Sequence, residues 1–279
     1  MPEKHTVSKK ITWLSLGIVL ILILAGIFWY LHHEKQYPST DDTYVQAHIV
    51  NIASQVSGPI TQIFVNNHQL VRQGQPLFRI DVRPYQYALA QADAKLKLAH
   101  EQGQRTFPLI TSGKVAPAEG DKIRAKIESA TAAFQQAQYD LNHTTVFAPV
   151  NGKLANFKVR VGDTVSKGIN LFAIVEQNHF WVNANFKETQ LKRIKVGQPA
   201  RIKVDMYPNF TFKGRVQSIS PGSGTIFSLL PPENATGNWV KVTQRIPVKI
   251  TILNPNPLYP LKAGSSAKAI VDTKNQAKN

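Results

Sequence analysis

The side chains that could do chemistry in this chain are few and scattered. With no cysteine, thiol catalysis, disulfides, iron–sulfur clusters, cysteine zinc sites and a lipidated cysteine at the N-terminus are all excluded. The eight histidines include His48, His68, His100, His143 and His179, and no pair has metal-ligand spacing. His32-His33-Glu34 reads as the polar flank of an apolar segment. Asp41-Asp42 has the form of a paired-carboxylate acid–base site, but reads as a solvated pair before a first strand. Gly222-Ser223-Gly224 lacks the spacer on each side that a nucleophile elbow needs. No glycine-rich loop cradles phosphate. The expectation is a protein that binds and passes on, with no catalytic site, no metal and no cofactor.

The elements that position these residues begin with Ile11–Leu31 (ITWLSLGIVLILILAGIFWYL), which carries no charge. About 20 apolar residues suffice to span a bilayer as a helix. A cleavable signal would have a shorter apolar region and a small-residue cleavage site; here Trp13 and Phe28-Trp29-Tyr30 mark both boundaries, as interfacial aromatics do. Lys4, Lys9 and Lys10 precede the segment, so residues 1–10 are expected in the cytoplasm and everything after Leu31 across the membrane.

An internal repeat follows. Val56-Ser57-Gly58 is succeeded sixteen residues on by Gly74 and then Leu77-Phe78-Arg79-Ile80. Val150-Asn151-Gly152 is succeeded at the same offset by Gly168 and Leu171-Phe172-Ala173-Ile174. Both copies alternate like short strands broken by glycine turns, which predicts a small sandwich of two similar halves. Gly58, Gly74, Gly152 and Gly168 fit positions that need positive φ or close backbone approach.

Between the copies the period changes to that of a helix. Tyr85, Leu89, Ala92, Leu96 and Ala99 form one heptad seam, and Ile123, Ile127, Ala130, Phe134, Ala137 and Leu141 form another. Pro84 and Pro117 open the two helices, and Phe107-Pro108 should kink or fray the first near its end. The short link Ser112-Gly113-Lys114-Val115-Ala116 makes them antiparallel. A hairpin inserted between two halves of one sandwich leaves and returns at one place, so it projects. Its alanine-rich seam is thin and is expected to need neighbouring hairpins. From Phe180 onward alternating strands return, predicting an all-β barrel or sandwich interrupted by a longer loop, Phe227–Trp239.

The anchor, split sandwich, inserted hairpin and C-terminal barrel together resemble the membrane-fusion (adaptor) proteins of the HlyD family. The barrel most resembles the EmrA-like branch through Ala184-Asn185-Phe186-Lys187-Glu188-Thr189-Gln190-Leu191, Val196-Gly197-Gln198, Phe227-Ser228-Leu229-Leu230-Pro231, Asn234-Ala235-Thr236-Gly237-Asn238-Trp239 and Val242-Thr243-Gln244-Arg245-Ile246-Pro247-Val248. The resemblance implies a mainly β fold with a lipoyl-type (barrel-sandwich hybrid) domain split by a coiled-coil hairpin. It divides the chain into 1–10, an anchor 11–31, a linker 32–44, sandwich halves 45–81 and 144–177, a hairpin 82–143, a barrel 178–273 and a flexible tail 274–279. It also implies a non-enzymatic adaptor of a Gram-negative inner membrane, forming a homo-oligomeric ring. That ring would join a major-facilitator exporter to a TolC-like outer-membrane channel.

Ser112–Ala116 is then the expected channel contact, and Phe227, Ser228, Leu229, Leu230, Pro231, Asn234, Ala235, Thr236, Gly237, Asn238 and Trp239 the expected subunit or exporter contact. The hairpin is shorter than is usual in the branch, and Arg105, Leu109 and Ser112 lie closer together than the spaced Arg, Leu and Ser of channel-contacting tips. The short hairpin also resembles AaeA-type adaptors, and a type I secretion adaptor is a further alternative. Lipoyl-type enzyme domains carry their cofactor on a lysine in the hairpin joining the halves; the helical excursion occupies that junction.

The formal charge of +16 suggests nucleic acid at first, yet no nucleic-acid module is present and the anchor exports most of the chain. Residues 177–279 hold fifteen Lys and Arg against four Asp and Glu, so the excess lies in the barrel. Lys192, Arg193 and Lys195 are the expected basic patch, meeting membrane lipid or an acidic exporter face and favouring anionic amphipathic substrates.

Overall fold

The computed structural model describes residues 36–224 and 242–274, with Leu16 and Ile226. Apart from Leu16, the expected anchor 11–31 lies outside the described residues, as does the whole expected contact loop, Phe227–Trp239. Among the described residues no helix is long and apolar enough to cross a membrane. The chain forms two compact units, His48–Gln177 and Met1–Ala47 with Asn178–Asn279.

After β1 (Ser39–Thr40), strand β2 (Thr43–Ala53) leads into the first unit. That unit holds β3 (Gly58–Ile63), β4 (Leu70–Val71), β5 (Pro76–Ile80), β6 (Thr145–Phe147), β7 (Gly152–Ala155), β8 (Thr164–Val165) and the start of β9 (Asn170–Lys187). Its core gathers Val56, Ile60, Val71, Leu77, Phe78 and Ile80 from one copy of the repeat with Leu154, Val165, Phe172 and Ile174 from the other. Phe78 and Phe172, matched positions of the two copies, meet edge to face at 6.0 Å.

The copies are locked by exchange. Gly58 of the first pairs with Val165 of the second, and Val71 of the first with Gly152 of the second. Gly74 N–H donates to Ala148 O at 2.8 Å, and Gly168 N–H to Ser54 O at 2.8 Å. Each of these contacts is the other's image under a shift of 94 residues, so neither half can complete its hydrogen bonding alone.

The four repeat glycines serve different needs. Gly74 (φ +79°) and Gly168 (φ +81°) sit in turns in the left-handed region. Gly152 has no positive φ; it opens β7, and a Cβ there would lie 2.5 Å from Val175 O. Gly58, at the head of β3, has φ +150° and would bring a Cβ to 2.8 Å from Ile80 Cγ2.

Helices α1 (Arg83–Thr111) and α2 (Pro117–Asn142) contain 29 and 26 residues, lengths of about 43 and 39 Å at 1.5 Å per residue. Asp81 starts α1: its carboxylate accepts from the Arg83 backbone N–H and pairs with the Arg83 guanidinium at 2.7 Å. That side-chain bond holds the Asp81 carboxyl below its ordinary range. The seam residues read from the sequence face inward, and the seam continues through Gly103, which is buried, and half-buried Thr106 and Ile110. A Cβ at Gly103 would meet Phe107 Cε2 at 3.0 Å and Ile127 Cδ1 at 3.1 Å, so glycine lets the helices approach closely there.

Pro108 does not end α1, which runs to Thr111. The proline falls in the last turns, where Thr111 Oγ1 donates to Phe107 O (3.1 Å) and Ser112 N–H to Pro108 O (3.1 Å). Pro108 forgoes only the bond its own N–H would make to Gln104 O, while these bonds occupy carbonyls of the helix's last turns.

In the second unit the strand order is β1-β13-β10-β11-β12-β9, with β10 (Pro199–Val204), β11 (Phe212–Ile219), β12 (Arg245–Ile252) and β13 (Ala267–Val271). Inward residues alternate along every strand: Val182, Ala184 and Phe186 of β9, Ile202 and Val204 of β10, Val248 and Ile250 of β12, and Ala267, Ala269 and Val271 of β13 are all buried. Asp41-Asp42 is part of the closure. Asn185 N–H of β9 donates to Asp42 O at 2.8 Å, Asn185 Nδ2 donates to the Asp42 carboxylate at 3.0 Å, and Asp42 and Asp41 pair with Arg245 (3.5 Å) and Lys268 (3.1 Å). Asp41 is solvated, its side chain 79% exposed beside Lys268, whereas Asp42 ties β9 and β12 through Asn185 and Arg245.

Candidate functional site

The hairpin end is built as a helix stop. Gly113 (φ +73°) follows the C-cap Ser112; its N–H donates to Ile110 O at 2.9 Å, and Lys114 N–H donates to Leu109 O at 2.9 Å. This is the Schellman pattern, in which a left-handed glycine lets the last carbonyls find donors. Ser112, Gly113, Lys114 and Ala116 are exposed and Val115 is half-buried. The tip therefore presents a fixed loop without internal strain. Beneath it lies a shallow cleft of about 280 Å³ lined by Phe107, Ile110, Thr111, Pro117, Gly120, Asp121 and Arg124. The Arg124 guanidinium lies 5.9 Å from the Phe107 ring centre. The linear sequence did not indicate this cleft, because its walls come from both helices.

At the other end of the hairpin, Ile80 N–H donates to Thr144 O at 2.8 Å, which fixes departure and return side by side. Tyr85 Oη donates to Ser57 O at 2.6 Å, and Tyr139 Oη donates to Gln55 Oε1. The base carries an open apolar cleft of about 460 Å³ with Ile52, Val146 and Phe147 in its wall.

On the barrel, Lys192, Arg193 and Lys195 follow the one-turn helix α3 (Glu188–Leu191) and are exposed. The loop that bears them is tied from inside. Ile194 is buried, and Gln198, 1% exposed, spans the loop: its Oε1 accepts from Lys195 N–H (2.9 Å) and its Nε2 donates to Arg193 O (3.1 Å). Opposite them stand residues far apart in sequence. Thr273 N–H and Oγ1 both donate to Gln36 O, at 3.2 and 2.8 Å. Lys274 Nζ lies 5.4 Å from the Tyr37 ring centre and Arg201 Cζ 5.6 Å from it. Gln36, Lys192, Arg193, Lys195, Gln198, Thr273 and Lys274 line one cleft of about 350 Å³. Charge composition pointed to the three loop cations; Gln36 and Lys274 lay in segments read as linker and tail.

Among the described residues no buried side-chain nitrogen or oxygen lacks a partner, and no three His, Asp or Glu side chains converge. What the molecule offers is surface: a tip, a hairpin base and a basic cleft.

A sandwich split by a hairpin and followed by a barrel defines a membrane-fusion adaptor. The family model "RND MFP, barrel-sandwich hybrid domain" matches residues 48–177, and "AAEA-like beta-barrel domain" matches 179–272. The colistin resistance protein EmrA of Acinetobacter baumannii is 31% identical over 95% of this chain and 95% of its own. That alignment spans 334 positions against 279 residues here, so the relative carries stretches that this chain lacks. The multidrug export protein EmrA of Escherichia coli is 30% identical over 91% of this chain and 81% of its own. A MacA–MexA chimera containing the Pseudomonas aeruginosa MexA α-hairpin domain has the same fold, with TM-score 0.69 at 21% identity over 85% of this chain and 80% of that one. The chain belongs to the membrane-fusion (adaptor) proteins of the HlyD family, in the EmrA-like branch. It is a periplasmic adaptor of efflux and not an enzyme.

Proposed function

We propose that this chain links an inner-membrane exporter of the major-facilitator type to a TolC-like outer-membrane channel. In this reading residues 11–31 anchor it by a single span in a Gram-negative inner membrane, with residues 1–10 cytoplasmic. Several copies ring the exporter, and substrate passes through without chemistry. The observation that carries the reading is the hairpin: two long helices that depart and return at the Ile80–Thr144 bond and end in an exposed, well-capped loop. Beyond its base, where Tyr85 packs against the sandwich core, the arm stands clear of that core, so its purpose lies in what it reaches. Ser112–Ala116 is the proposed channel contact, and Phe227–Trp239 the proposed subunit or exporter contact.

A second reading, an AaeA-like adaptor for an aromatic-acid exporter, draws on the family match of the barrel. Photoreactive residues at Lys114 and Trp239 in cells test both. The expected products are an outer-membrane channel at Lys114 and a fourteen-helix facilitator at Trp239. An aromatic-acid exporter or an ATP-binding cassette protein at Trp239 would replace the first reading. Capture of only other copies of the chain at Lys114 would remove direct channel contact.

A further inference from the structure

We infer that the cleft of Lys192, Arg193, Lys195 and Lys274, with Gln36 and Thr273, binds the phosphate headgroup of an anionic phospholipid in the leaflet from which the chain emerges. The inference rests on the reading of residues 11–31 as an anchor and goes beyond a generally basic barrel by assigning a built site.

Its first ground is position. Gln36 lies five residues beyond the last residue of the apolar segment, and five residues reach at most about 17 Å even fully extended. Headgroups occupy about 5–8 Å beyond the hydrocarbon on each side. Because the Gln36 carbonyl is fixed to Thr273 by two hydrogen bonds, the chain itself tethers this cleft to the membrane surface. No other described cleft contains a residue so close to the apolar segment.

The second ground is charge. Among the described residues the lining includes Lys192, Arg193, Lys195 and Lys274 and no carboxylate, and none of Lys192, Lys195 and Lys274 has a carboxylate within salt-bridge distance. The three ammonium groups Lys192, Lys195 and Lys274 repel one another until an anion arrives.

The third ground is preorganisation and amphipathicity. Gln198 and Ile194 hold the loop's backbone from below, so the cations are presented without ordering a mobile segment. Between them Val196 is 56% exposed, an apolar side chain beside phosphate-binding groups. Tyr37, against which Lys274 rests, is of the type that favours the water–lipid boundary.

The test uses the full chain in nanodiscs of phosphatidylcholine alone or with added phosphatidylglycerol, read by hydrogen exchange at Lys192–Gln198 and by native mass spectrometry of retained lipid. Phosphatidylglycerol is expected to slow exchange in that loop and to remain bound. Lys192→Gln/Lys195→Gln/Lys274→Gln is expected to weaken its retention by about tenfold or more. Lys153→Gln/Lys158→Gln/Lys167→Gln removes equal charge from the exposed sandwich surface and is expected to leave retention unchanged.

Equal loss in both variants would reduce the effect to bulk charge and overturn the site. Inorganic phosphate slowing the loop equally in phosphatidylcholine discs would make it a soluble-anion site. Slowing that requires added exporter would make it a protein interface. Failure to enter either disc would remove the anchor and the proposal with it, whereas entry without slowing would remove only the headgroup site.

Discussion

At the scale of single residues, the repeat is its own control. His68 has φ +62°, and the residue 94 positions on is Gly162 with φ +96°. The second copy thus fills a left-handed position with glycine where the first uses a β-carbon residue. Left-handed backbone costs a non-glycine residue about 1–2 kcal/mol, offset here in part by the His68 N–H bond to Asn67 Oδ1 at 3.1 Å. His68→Gly is therefore expected to stabilise the sandwich by about 0.5–1 kcal/mol, measured by denaturant midpoint; an unchanged or lower midpoint would refute the strain. The repeat glycines separate by the same logic. Gly74 has open space around it, so Gly74→Asn, which tolerates φ > 0, should cost little. Gly152→Asn would drive a Cβ into the Val175 carbonyl and is expected to cost about 2–3 kcal/mol.

At the scale of elements, the hairpin seam is the informative case. Ile123 is the most buried apolar side chain of α2, and its Cγ2 would lie 3.5 Å from a Cβ placed at Gly103. Ile123→Asp with Ile127→Asp would place carboxylates against Phe107 and the Gly103 backbone. The expected result is fast hydrogen exchange over 83–142, unchanged exchange in β12 and lost export; export that survives would remove the paired helices from the mechanism. The heptads were legible in sequence as far as Ala99 because Leu and Ala mark them. Gly103 and Thr106 continue the seam but are not apolar, and Pro108 resembles a terminator although the helix runs three residues past it to Thr111. The repeat was legible through Val-x-Gly and Leu-Phe-x-Ile, yet the exchange of short strands between copies was not, since two-residue strands have no period. The basic cleft was half legible: charge flagged Lys192–Lys195, but only folding brings Gln36 and Lys274 beside them, and Gln198 looks like any surface glutamine until its burial is known.

At the scale of the whole molecule, charge divides unevenly along the chain. The hairpin, residues 82–143, carries a formal charge of only +2, while residues 177–279 carry +11. If reach belongs to the hairpin and membrane contact to the barrel, the two should be separable. The geometry allows the separation, because Ile80 and Thr144 are already bonded at 2.8 Å and a short Gly-Ser turn can replace Arg83–Asn142. Removal deletes the Tyr85 and Tyr139 bonds to Ser57 and Gln55, a loss of about 1–3 kcal/mol, together with the packing of Tyr85 on the sandwich core. It leaves the exchanged pairs Gly58–Val165 and Val71–Gly152 in place. The shortened chain is expected to fold, to stay in the membrane fraction and to keep slow exchange at Lys192–Gln198 with phosphatidylglycerol, while export falls to the level of cells without the protein. Loss of the sandwich's slow-exchanging core in this variant would show instead that the hairpin is part of the fold, and that the small seam between its helices serves stability before reach.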